Sequence, residues 1–292
     1  MIMNKRQISE NFLKRLQANG DLHEIVDCVK NDPQLVMFLR GKYVTVYYKT
    51  LQILKILPQS APIVNGNYFG YKGVKNYPIS LTDFGGNWKG YFEKAKVFLD
   101  NYNRGNLGEK VTQQKLVCDN KEKDTDYQVF DVEYTQDGKT RFDALAVYMT
   151  DQKNLGLAFI ELKEGYTSVG GGDNDSGIKG HYKKAVDFIE LYYNTDFLTD
   201  MQKVVEQLSH LGLLKFGKDI NFSPEIKPEY IFAMSHYPFK SGSLMRQLKD
   251  VIERKDLLIS NFVFLEDDDR LFRKDMILLE NVYDYLQKKS CK

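Results

Sequence analysis

The chain reads as a mixed α/β protein, and three features of the sequence carry that reading. Apolar residues recur at helical spacing in several segments, most clearly Trp88, Tyr91, Phe92, Ala95, Phe98, Leu99 and Tyr102. Short apolar runs at 127–135, 142–149 and 155–162 are separated by polar segments of hairpin length. Helix-period and strand-like segments then alternate to the C-terminus, which predicts a sheet covered by helices. With 292 residues, 42% of them apolar, the chain can bury one large core or two small ones.

From the N-terminus, Phe12, Leu13 and Leu16 mark a first helix, and Leu22, Ile25, Val26 and Val29 a second, broken by Asn31-Asp32-Pro33. Residues 35–40 and 43–48 flank Gly41-Lys42 as a hairpin, and 51–57 adds a strand or continues the second. Residues 58–86 are rich in Gly, Asn, Pro and Tyr and read as loop. Within it Tyr68, Phe69, Tyr71, Lys72 and Lys75 are residue types that contact nucleic acid; the alternative is a tyrosine-rich loop packed on the core. A helix over 87–102 buries the stripe named above, and a shorter one restarts over 107–117 with Glu109 in its first turn.

The strand 127–135 turns through Asp137-Gly138, a strong type I′ signal that pairs Val132 with Asp143 and points Asp131 and Glu133 to the other face. After the 155–162 strand, the loop 164–177 contains VGGGDNDSG, which fits neither the Walker nor the dinucleotide glycine pattern and reads as a flap. A helix follows over 178–193, with Ile178, Ala185, Phe188, Ile189 and Tyr192 inward and His181, Lys183 and Lys184 near its start. The remainder alternates a helix over 200–214, a strand over 229–235, a helix over 244–252 and a strand over 257–265. A C-terminal helix through Phe272, Met276, Leu279, Tyr283 and Leu286 ends it. The run Glu266-Asp267-Asp268-Asp269 lacks the glycine and terminal glutamate of a calcium loop and reads as a solvated turn.

The 41 basic and 40 acidic residues give a net charge of +1, so there is no global field for a polyanion and any such site must be local. No stretch has the apolar length of a membrane-spanning helix, and the polar MIMNKRQISENF lacks the core of a signal peptide. Cys28, Cys118 and Cys291 form neither metal-type spacing nor an even framework. The expected compartment is a reducing cytoplasm.

Charges inside the two central strand runs are the informative anomaly. A loop centred near Gln152 sets Leu145 opposite Phe159, Val147 opposite Leu157 and Met149 opposite Leu155, and the same register sets Asp143 opposite Glu161. Lys163 shares the face of Glu161, so three charges converge at one sheet end. An unpaired buried charge costs several kcal/mol. Two carboxylates facing each other across about 5 Å become favourable when a hard divalent cation sits between them. The alternative for the same residues is a structural salt bridge from Lys163 to either acid.

Asp143 followed by Glu161-x-Lys163, preceded by helix, strand and strand, resembles the PD-(D/E)XK nuclease superfamily, with Phe142 where the motif has proline. The resemblance spans roughly residues 107–239. It implies a restriction-endonuclease-like core within 106–292, flanked by helices and carrying a C-terminal extension, with 1–105 as an N-terminal α+β elaboration of helices and a hairpin. It implies metal-dependent hydrolysis of nucleic-acid phosphodiesters, DNA foremost. Asp143 and Glu161 would be ligands of Mg2+, or of Mn2+ in its place, with the Leu162 carbonyl a further ligand and Lys163 assisting the attacking water. Glu109 is the match for a helix-borne acid near the metal, and His181 or Lys184 for a contact to the scissile phosphate. No membrane partner is expected, and a homodimer only if cutting both strands requires two sites. The reading from a different class is an interaction module that keeps the fold without activity.

Overall fold

A computed structural model of the chain describes residues 5–49, 51–64, 66, 74, 76–102, 108–121, 124–136, 138, 140–151, 154–165, 169, 177–215, 221–240, 242–249, 251–266 and 268–291. The fold is mixed α/β, with two sheets, and it divides into two units that are each discontinuous in sequence. One unit comprises Lys5–Gln114 with Lys203–Gly217; the other comprises Lys115–Gln202 and Lys218–Lys292.

The N-terminal unit starts with α1 (Glu10–Leu16), capped by Ser9, and α2 (His23–Asn31), which bury Phe12, Leu13, Leu16, Ile25, Val26 and Val29 as their spacing predicts. Strands β1 (Val36–Leu39), β2 (Val44–Tyr48) and β3 (Leu51–Ile56) form an antiparallel meander, so 51–56 is a strand of its own. The segment expected to be loop adds β4 (Ile63–Val64) and β5 (Tyr77–Pro78), completing a five-stranded sheet, and a 3-10 turn at Leu81–Phe84. Two-residue strands carry no readable period, which is why only their pairing reveals them. Helix α3 (Trp88–Tyr102) buries Trp88, Tyr91, Phe92, Ala95 and Leu99, and α4 (Gly108–Asp119) follows. The distant segment 203–217 belongs here in part through Gln207, whose buried side-chain amide accepts from the Ile8 amide at 3.0 Å and donates to the Ile8 carbonyl at 2.7 Å.

The second unit is built on a seven-stranded mixed sheet, in the order β12 (Ile277–Leu278), β11 (Ile259–Leu265), β10 (Glu229–Ser235), β8 (Asn154–Glu164), β7 (Arg141–Met149), β6 (Tyr127–Thr135). A short β9 (Asn221–Phe222) pairs with the start of β8. Strands β6, β7 and β8 are antiparallel neighbours, whereas β10 runs parallel to both β8 and β11. Helix α5 (Ile178–Tyr192) makes the crossover from β8 toward β10, together with α6 (Thr195–His210). The rings of Phe142, Phe159, Phe188 and Phe197 interlock at centroid distances of 4.6 to 6.1 Å, fastening both helices to the sheet.

Three element boundaries differ from expectation. Helix α6 starts at Thr195 rather than near Asp200, because the Asn194 side chain accepts from the Phe197 amide and caps it. Helix α7 (Ser243–Leu248) is shorter than expected. The expected C-terminal helix is only α8 (Val282–Ser290); the apolar spacing of Phe272, Met276 and Leu279 imitates a helix, but Ile277 and Leu278 pair with β11 instead.

Candidate functional site

Strand β8 is buried at every residue from Leu155 to Lys163, which makes its two charged residues the exception to explain. The hairpin register is the expected one, with Leu145 facing Phe159, Val147 facing Leu157 and Met149 facing Leu155. The ladder's last pair is Ala144 opposite Ile160, and Asp143 and Glu161 are the next residues along the two strands. There Asp143 Oδ2 accepts the Leu162 amide at 2.8 Å, so the carboxylate bridges the two strands just beyond their last backbone pair. Asp143, Glu161 and Lys163 are 8%, 3% and 5% exposed.

Glu161 Oε1 is the hub. It accepts Lys163 Nζ at 2.6 Å and stands 2.9 Å from His181 Nδ1, which α5 delivers in its first turn. Burial raises the Glu161 carboxyl, but the hydrogen bond from His181 and then the positive charge of Lys163 outweigh it and hold the group below the ordinary glutamate range. On the adjoining strand β10, burial and then the negative fields of Glu161 and Asp143 push the Tyr230 phenol well above its usual value. Tyr230 pairs with Phe159 across the parallel β8–β10 ladder. The site opens at His181, whose side chain is 25% exposed.

The structure thus gathers Asp143, Glu161, Lys163 and His181 at one end of the sheet. Leu162, between the two charged residues, is fully buried. Lys184 sits one turn along α5 from His181, half-buried, with its carbonyl accepting Thr140 Oγ1 at 3.4 Å. Glu109 falls in the first turn of α4, and its side chain lies outside the described residues. So do Tyr68, Phe69, Tyr71, Lys72 and Lys75, and the VGGGDNDSG segment apart from Val169 and Gly177.

The β6 register is a correction. Val132 pairs with Ala144, not Asp143, and a bulge between Val129 and Asp131 sets Asp131 beside Leu145. Asp131 is buried and accepts the Val132 amide at 2.8 Å, while Glu133 takes a left-handed φ of 49° and stands 3.7 Å from Arg141 at the surface. Tyr230 is the residue sequence reading missed. It adjoins the site only because β10 pairs with β8 from 71 residues away, and nothing local signals that pairing.

Among the described residues no group of three or more His, Cys, Asp or Glu stands close enough to hold a metal ion. The oxygens at this sheet end are two carboxylates and a main-chain carbonyl. That is a hard donor set, and magnesium accepts one or two carboxylates with water completing its shell. That oxygen set is of the type magnesium or manganese takes, and among the described residues the site holds no thiolate. No helix among the described residues is long and apolar enough to cross a membrane. Comparison with protein-family models, curated proteins and solved structures finds no match.

Proposed function

We propose that this chain is a metal-dependent nuclease that hydrolyses phosphodiester bonds, with DNA as the leading substrate and a PD-(D/E)XK-like site. The observation that carries the reading is the buried set Asp143, Glu161 and Lys163 on adjoining strands, with His181 brought to the same carboxylate. Four polar groups at the end of a strand otherwise buried and apolar are costly unless they do chemistry or pair completely.

Asp143, Glu161 and the Leu162 carbonyl would hold the divalent cation. Bound there, it supplies a water of lowered pKa and offsets charge developing on the phosphate. Lys163, fixed by Glu161, orients the attacking water or balances phosphate charge. His181 is held through Nδ1, so Nε2 would be the nitrogen free to meet a phosphate oxygen. Lys184 and Glu109 are further candidates for the phosphate and the cation. Cutting both strands of a duplex would bring in a second copy of the chain.

A second reading is favoured by the mutual satisfaction of the charges: Glu161 Oε1 already takes two donors. On that reading the chain is an interaction module and the charges are a structural network. Cleavage of supercoiled plasmid, single-stranded DNA and RNA with magnesium or manganese, against EDTA, separates the two. Metal-dependent cutting that falls at least about a hundredfold in Asp143→Ala and in Lys163→Ala is expected. No cutting of any substrate would leave the network reading standing.

A further inference from the structure

The chain is balanced in charge overall, yet residues 33–82 contain six basic residues, Arg40, Lys42, Lys49, Lys55, Lys72 and Lys75, and no Asp or Glu. Eight aromatic residues fall in the same stretch. All five strands of the N-terminal unit's sheet fall within this stretch. The stretch of sequence that builds this sheet therefore carries positive charge without acids of its own to cancel it.

The register sorts the residues onto faces. One face carries Val44, Val46 and Tyr48, all buried. On that side Tyr48 and Lys49 meet Asp100, and Lys96 meets Asp32, so the cations there are balanced. Alternation puts Tyr43, Thr45 and Tyr47 on the other face, with Phe38 and Lys55 flanking Thr45 from the neighbouring strands. There Lys55 Nζ sits 4.4 Å from the Tyr43 ring centroid, the Arg40 guanidinium 5.2 Å from that of Phe38, and the Phe38 and Tyr47 rings 5.8 Å apart. Tyr43, Tyr47 and Lys55 are half-buried and Lys42 is exposed, and neither lysine has a carboxylate partner among the described residues. Between Phe38 and Lys55, the buried Thr45 hydroxyl has no hydrogen-bond partner.

We infer that the exposed edges of Tyr43, Tyr47 and Lys55 on this face, seated on the buried Thr45 and Phe38, form a platform for single-stranded nucleic acid. Lys42 and Lys55, lysines without a carboxylate partner among the described residues, attract a polyanion. Half-exposed rings bordered by cations are what unpaired bases stack on, and a duplex hides its base faces from them. The inference leans on the proposed nuclease reading only in its choice of polyanion, since it predicts binding and not reaction.

The test is fluorescence anisotropy on the full chain in EDTA, with labelled oligothymidine, labelled oligouridine and a duplex of equal length, alongside vesicles of anionic phospholipid. Tyr43→Leu and Tyr47→Leu keep apolar bulk but lose the ring, and each is expected to weaken single-strand binding about tenfold. Tyr47→Phe keeps the ring and binds like the parent. Lys55→Gln should reduce the slope of log affinity against log salt by about 0.7. Unchanged single-strand affinity in folded Tyr43→Leu and Tyr47→Leu would overturn the inference. So would equal losses on the duplex, or binding to vesicles without binding to oligonucleotides. Tyrosine-dependent binding by a protein that cuts no substrate would sink the nuclease reading and leave this surface standing.

Discussion

Glu161 shows most plainly how one residue couples stability to chemistry. Its lowered carboxyl pKa is a linkage statement. Ionisation contributes stability that is fully present above the unfolded-chain value of about 4.3 and is lost as pH falls through the lower folded value. In Glu161→Gln that contribution is gone, so urea unfolding free energies should fall less steeply below about pH 4.3 than in the parent. The same variant leaves Lys163 buried without its anion and should cost about 3–5 kcal/mol near neutral pH. An unaltered acid limb would show that Glu161 is not ionised in the folded state. Asp143, Glu161 and Lys163 were legible from sequence because a hairpin is local: loop length sets register, and register sets which side chains meet. The position of His181 on Glu161 was not legible, since it depends on how α5 returns over the sheet.

At the scale of elements, the β7–β8 hairpin is held by more than its ladder. The Tyr148 ring lies over Gly156, its direct partner, and a Cβ at that glycine would collide with it. Gly156→Ala should therefore destabilise by about 1–3 kcal/mol, read by urea or thermal melts, because the displaced ring has packed neighbours and not solvent. A neutral result would mean the ring swings aside at no cost. The ring is not idle: Tyr148 stacks near Tyr127 at 5.1 Å, and Tyr127 donates at 2.6 Å to the buried Glu229, which Arg273 also approaches at 3.4 Å. Long periodic elements such as β6, β10 and α5 could be read from sequence almost to the residue. Strands β4, β5, β9 and β12 could not, because two residues have no period and exist as strands only through their partners.

At the scale of the molecule, the divalent cation offers a test that does not depend on finding the right substrate. Whatever binds the native state alone stabilises it, by about 2.7 kcal/mol at a hundred times its dissociation constant. Magnesium or manganese should raise the melting temperature of the parent chain and leave that of Asp143→Ala unmoved. A parent that melts at the same temperature with and without metal would point to the structural network. The balanced composition conceals an uneven distribution, since residues 33–82, the stretch that holds all five strands of one sheet, carry no acid. Net charge alone reported the absence of a global field and was silent on the local one.

By itself the sequence determined the mixed α/β class, the hairpin of β7 and β8 with its register, and the charges Asp143, Glu161 and Lys163 inside it. All of these follow from local periodicity and turn length. Only the tertiary structure decided that β10 lies parallel to β8, that Tyr230 pairs with Phe159 near the acids, that His181 shares Glu161 with Lys163, and that 203–217 joins the N-terminal unit. Those contacts join residues far apart along the chain. They depend on how whole helices and strands bury their apolar faces against one another, a choice that no single segment of sequence encodes.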